Sequence, residues 1–174
     1  MRVHLDPRYA ILGLIEGIIL ALGLGARGLF EPNEVNVGNA ILNAGVLAAV
    51  INLITSFSTE LYQERATLLE MERKMVISQR GWYFHTALYH AAQLRVLGRA
   101  VSYSLSALAG AATLLVPVSL VPHVPLAGLL VPLVLLFALG LYLGRSTDGS
   151  PTIWGFGMVL AGIIAVIVGR VFPV

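Results

Sequence analysis

From Ala100 to Gly144 the chain runs for 45 residues without one Asp, Glu, Lys or Arg. No other feature narrows the possible folds as much. Soluble domains carry roughly a quarter of their residues as charges, so a gap of this length points to lipid as the solvent. A helix crosses the hydrocarbon core in roughly 20 residues, so the stretch is long enough for two crossings. Its middle reads Pro117-Val-Ser-Leu-Val-Pro122-His123-Val-Pro125, and three prolines with a histidine mark a turn. The stretch is therefore read as a hairpin of two spans, about 100–120 and 125–144.

The rest of the chain fits the same solvent. Of its 174 residues, 57% are hydrophobic and only 11% charged. A first span is expected over about 9–29, interrupted by Glu16 and Arg27. A second covers about 37–61 and carries no charge from Val35 to Thr59. The last covers about 153–171. The prediction is an all-α integral membrane protein, a single domain over 1–174 with five transmembrane helices.

Alternating five spans puts nine basic residues on one side and two, Arg27 and Arg170, on the other. The positive-inside rule then places the N-terminus in the cytoplasm and the C-terminus outside it. Residues 1–8 lack the apolar stretch of a cleaved leader and read as a short retained tail, which fits a prokaryotic plasma membrane. Residues 62–99 form the polar segment, expected as a charged, helical cytoplasmic connection between helices 2 and 3. Its start, Glu64 to Met75, holds strong helix formers without Gly or Pro and should prolong the second span. Trp82, Tyr83, Phe84 and Tyr89 suit a return through the membrane interface.

Several chemistries are excluded. The chain has no cysteine, hence no disulfide and no thiolate ligand or nucleophile. A net charge of +2 is too small to suggest a nucleic-acid partner. No HExxH, nucleophile elbow or phosphate-binding glycine loop is present, so neither an enzyme nor a resident cofactor is expected. His85, His90 and His123 are not spaced as a ligand set.

The polar residues inside the spans need reasons. An acid at a helix centre costs about 2.5–3.5 kcal/mol on insertion scales, and is found protonated, paired, or facing water or a cation. Glu16 is flanked by Gly13 and Gly17, four residues apart, a spacing that admits a second helix on that face. Two readings stand: an ion- or proton-binding carboxylate, or a neutral acid in a structural hydrogen bond. Asn39 and Asn43 share a face; amide oxygens suit hard cations but also join helices. Glu60 and Glu64 stack one turn apart and would repel unless a cation or a base intervened, with Arg65 near in sequence. They read either as a metal entry site or as a solvated charged face. Glu70, Glu72, Met71 and Met75 mix carboxylates with thioethers, a set suited to a borderline ion such as Fe2+, although methionines at helical spacing also serve packing.

These motifs resemble the vacuolar iron transporter family of divalent-metal exporters. Arg8 precedes Gly13-Leu-Ile-Glu-Gly17, where the family has glycine followed shortly by Asp-Gly. Asn43-Ala-Gly45 introduces the second helix, and Thr55-Ser-Phe-Ser-Thr-Glu60 is similar to the family's Ser-Met-x-x-x-Glu-Tyr. Ser106 to Pro117, with Pro122 beyond it, resembles the third helix and its turn. Gly162 to Arg170 resembles the closing segment. The resemblance spans nearly the whole chain. It implies a homodimer in the lipid bilayer that moves Fe2+ or Mn2+ out of the cytoplasm as an antiporter of protons. By position it assigns Glu16, Asn43 and Ser56 to transport and proton coupling. It assigns Glu16, Glu60, Glu64, Glu70 and Glu72 to the metal, and the thioether of Met71 joins them as a candidate ligand. Here glutamate stands at 16 in place of aspartate, and Ser56 or Phe57 in place of the pore methionine. The rival expectation is a non-transporting scaffold of the same fold that docks a partner through 62–99.

Overall fold

The computed structural model describes residues 7–30, 37–74, 87–120 and 125–171. Apart from the turn at 147–150, every described residue is in one of five α-helices. These are α1 (Pro7–Phe30), α2 (Val37–Lys74), α3 (Ala87–Leu120), α4 (Pro125–Ser146) and α5 (Pro151–Val171). Three of them begin on proline, whose missing N–H costs nothing at a first helical position and whose φ is already helical. Between α4 and α5 the chain reverses at Thr147–Ser150. Gly149 N donates to Gly144 O at 3.0 Å and Asp148 takes a left-handed φ of 51°, a conformation that aspartate tolerates.

Among the described residues, four helical segments are long and apolar enough to cross a membrane: Pro7–Gly25, Ile41–Met71, Gly128–Ser146 and Pro151–Val171. The architecture is that of an α-helical membrane protein. The outer surface agrees with this. On α5, Ile153, Phe156, Leu160, Ile164 and Ile167 are all more than half exposed, an apolar surface that water would not tolerate.

The expected span at 100–120 lies on α3. It packs against α1, α2 and α4, with Tyr103 reaching α1 and Ser104 reaching α2. The polar residues 87–99 are continuous with it in one helix. Likewise α2 carries the second span on to Lys74 without a break. Trp82, Tyr83, Phe84, His85, Met75 and the turn around His123 lie outside the described residues.

The contact between α1 and α3 is the most extensive in the bundle. The two helices run in the same direction: Gly13 meets Tyr103, Gly17 meets Ala107 and Gly25 meets Leu114. At Gly17 a Cβ would run into the backbone carbonyl of Ala107, and at Gly110 into that of Leu14. Only glycine allows backbones this close. Toward the Leu114 end the bundle is apolar and closely packed, with Ile18, Leu22, Ile41, Leu114 and Leu136 all at 0–1% exposure.

Gly17→Ala should therefore cost about 1–3 kcal/mol through overpacking, read as a lower thermal midpoint in detergent. Gly157, with nothing within 4 Å of its would-be Cβ, should accept alanine without loss. Equal midpoints for the two variants would contradict the close crossing.

Candidate functional site

Two groups of polar side chains sit on the inner faces of α1, α2 and α3. The first occupies the end of the bundle where α1 begins. Glu60, on α2, keeps 13% of its side chain exposed and meets two other helices. The Tyr9 hydroxyl on α1 donates to Oε1 at 2.6 Å, and Arg99 Nη1 on α3 donates to Oε2 at 3.0 Å. The same Arg99 nitrogen lies 3.8 Å from Glu64 Oε1, and the guanidinium stands 5.6 Å from the centre of the Tyr9 ring. A further contact binds α2 to α3 nearby: Arg65 Nε and Nη2 donate to the Tyr89 hydroxyl at 2.9 and 2.7 Å.

Arg99 precedes the apolar part of α3. Partial burial acts to lower its basicity. The hydrogen bond to Glu60, with the charges of Tyr9, Glu60 and Glu64, outweighs that and holds the guanidinium above its ordinary value. Arginine is protonated at any physiological pH in any case, so this junction carries a permanent cation facing two carboxylates.

The second group lies deeper. Glu16 on α1 is half-buried and accepts a hydrogen bond from the hydroxyl of Tyr103 on α3. The glycine crossing produces this meeting, since Gly13 and Gly17 bring α3 onto the face beside Glu16. Ser104 Oγ, the next residue on α3, donates to the Ala49 carbonyl on α2 at 2.6 Å. One turn along α2, Asn52 is 8% exposed, and its Nδ2 finds no acceptor among the described residues. The difference between the two carboxylates is chemical. Glu60 has its charge matched by an arginine, whereas Glu16 is held by an uncharged phenol.

The sequence candidates thus separate. Glu60 and Glu64 share Arg99, rather than standing free to share an ion. Glu70 pairs with Lys74 at 2.8 Å on the exposed side of α2, a surface pair worth tenths of a kcal/mol. Met71 and Asn43 are exposed, Ser56 is half-buried, and Glu72 follows on the same helix. Among the described residues no three of His, Asp and Glu come close enough to hold a metal ion. Sequence reasoning missed Tyr9, Arg99 and Tyr103. Each had a faint signal: Arg99 is the last charge before the uncharged run, and both tyrosines put a polar tip into an apolar stretch.

Compared with known proteins, the chain matches no family model, no curated protein and no solved structure. Fold and site together define it as an α-helical membrane protein with an acidic side chain held between helices.

Arg99→Met leaves Glu60 mostly buried without its cation and should cost about 1.5–3 kcal/mol, the range for hydrogen bonds to charged groups. Adding Glu60→Gln should restore part of that. A double-mutant cycle on thermal or denaturant stability is then expected to give a coupling of about 0.5–3 kcal/mol. Simple additivity would show that the two side chains do not act together.

Proposed function

We propose that the chain is a proton-coupled exporter of divalent cations, Fe2+ or Mn2+, with Glu16 as the exchange site. The observation that carries this reading is that Glu16 is oriented by Tyr103 but not neutralised by it. A carboxylate fixed by an uncharged donor can hold a proton when open to an acidic compartment and give it up for a cation. One paired with arginine has already met its counter-ion. The motif likeness to the vacuolar iron transporter family supports the same reading. The same reading places the chain as a five-span, N-inside protein of a prokaryotic plasma membrane.

One protomer brings a single carboxylate and a phenol to this point, fewer oxygens than a hard dication takes. In this reading the remaining donors come from a second copy across a homodimer axis, together with water. Glu60 and Glu64 then act as an acidic mouth gated by Arg99, where clustered carboxylates raise the local cation concentration. Glu70, Glu72 and Met71 contribute at most to that field.

A second reading has its own support. Tyr62 is 75% exposed, and Leu69 and Met71 are also uncovered on the polar extension of α2. These suit a scaffold that docks a partner through 62–99.

Proteoliposomes loaded with a metal-sensitive dye separate the two. Wild type should pass Fe2+ or Mn2+ against a proton gradient. Glu16→Gln should abolish the flux with elution volume and thermal midpoint unchanged, and Tyr103→Phe should slow it about tenfold, the effect of one hydrogen bond to a charged group. Full flux in Glu16→Gln removes the mechanism. No flux in wild type, with a partner retained by 62–99, selects the scaffold.

A further inference from the structure

The inner face of α2 changes character along its length. One line of its buried and half-buried positions, in steps of three or four, reads Gly45, Ala49, Asn52, Ser56, Glu60 and Glu64, with Leu53, Phe57 and Leu61 half-buried beside it. It is apolar at the end near Leu114 and increasingly polar toward Arg99. We infer that this face carries a water-filled half-passage from the charged end of the bundle to Glu16, with Asn52 Nδ2 holding its innermost water. The apolar core beyond Glu16 closes it. Its role rests on the reading of Glu16 as an exchange site, but its existence rests on the following geometry.

Asn52 is the strongest of these observations. It is 8% exposed, and no described protein group accepts from its Nδ2. Leaving a buried amide unpaired costs about 1–3 kcal/mol, and more where lipid replaces water around the bundle. Water is the acceptor that removes this cost, provided that two to four polar groups surround it. The helix register supplies them. The Ala49–Ser104 hydrogen bond lies one turn from Asn52 on the side of the apolar core. Ser104 donates in that bond, so its hydroxyl oxygen keeps lone pairs that can accept from water. Tyr103, adjacent to it, carries the hydroxyl that reaches Glu16. On the other side Ser56 is half-buried one turn away, and Glu60 follows roughly 12 Å from Asn52 along the helix axis. Polar groups therefore occur at each turn of α2 from Glu60 to Asn52, and Ser104 and Tyr103 continue the line across α3 to Glu16. Past that level Ile18, Leu22 and Leu114 are sealed at 0–1% exposure, so the passage has one open end.

The chain contains no cysteine, so a single introduced thiol reports its own surroundings through the infrared S–H stretch. Asn52→Cys, Ser56→Cys and Leu114→Cys would each be placed in nanodiscs and transferred to D2O. A wet thiol exchanges on mixing. A dry one exchanges only through opening of the bundle, and each 1.4 kcal/mol of opening slows it about tenfold. The expected result is prompt loss of the S–H band at positions 52 and 56 and persistence at 114. Bands at 52 and 56 that persist as long as the one at 114 would overturn the passage. Should Asn52→Cys fail to fold, as judged by elution and helical circular dichroism, Ser56→Cys decides alone. Failure here is separable from failure of the exchange reading. Dry thiols with a dead Glu16→Gln transporter sink only the passage, whereas wet thiols with an active Glu16→Gln variant leave the passage standing and remove its role.

Discussion

The crossing of α1 and α3 is the constraint on which the rest depends. In lipid there is little hydrophobic drive to press one apolar helix on another, so association rests on close van der Waals packing and polar contacts between helices. Gly13 and Gly17 on α1, with Ala107 and Gly110 on α3, let the backbones touch. Because the two helices are parallel, their contact holds along most of α1. It also sets the tyrosines: Tyr103 reaches from α3 to Glu16 on α1, and Tyr9 reaches from α1 to Glu60 on α2. Moving the helices apart by the width of one methyl group would disturb both sites together.

The bundle is polarised along its length as a result. At one end Tyr9, Glu60, Glu64 and Arg99 tie three helices with charge-assisted hydrogen bonds, which are stronger than neutral ones. At the other, Ile18, Leu22, Ile41, Leu114 and Leu136 form a buried apolar cluster. Glu16 lies between these regimes, close enough to polar neighbours to be satisfied and close enough to the core to be costly.

Much of this was legible beforehand, and the misses are instructive. The spacing of Gly13 and Gly17 around Glu16 announced a close helix, because residues four apart share a face. The helix formers of 64–74 announced the long α2. The polar segment runs into the third span as one helix. A drop in charge at Arg99 looks like a boundary, but backbone hydrogen bonding takes no notice of side-chain polarity, and α3 runs through it. The carboxylates at 60, 64, 70 and 72 looked like one cluster when written in a line. On a helix they spread along the axis at about 1.5 Å per residue. Arg99, 39 positions from Glu60, then takes the two that face inward.

The sequence by itself determined the solvent and the material: long uncharged runs make helices for lipid, and a lone intramembrane acid must find a partner. Those follow from local hydropathy and the cost of burying charge, which depend on composition alone. Which partner each acid finds was decided only by tertiary structure. Tyr103 lies 87 positions from Glu16 and Tyr9 51 from Glu60. Contacts at such separations depend on how helices cross, and the crossing is set by steric fit between backbones rather than by any pattern along one strand of sequence.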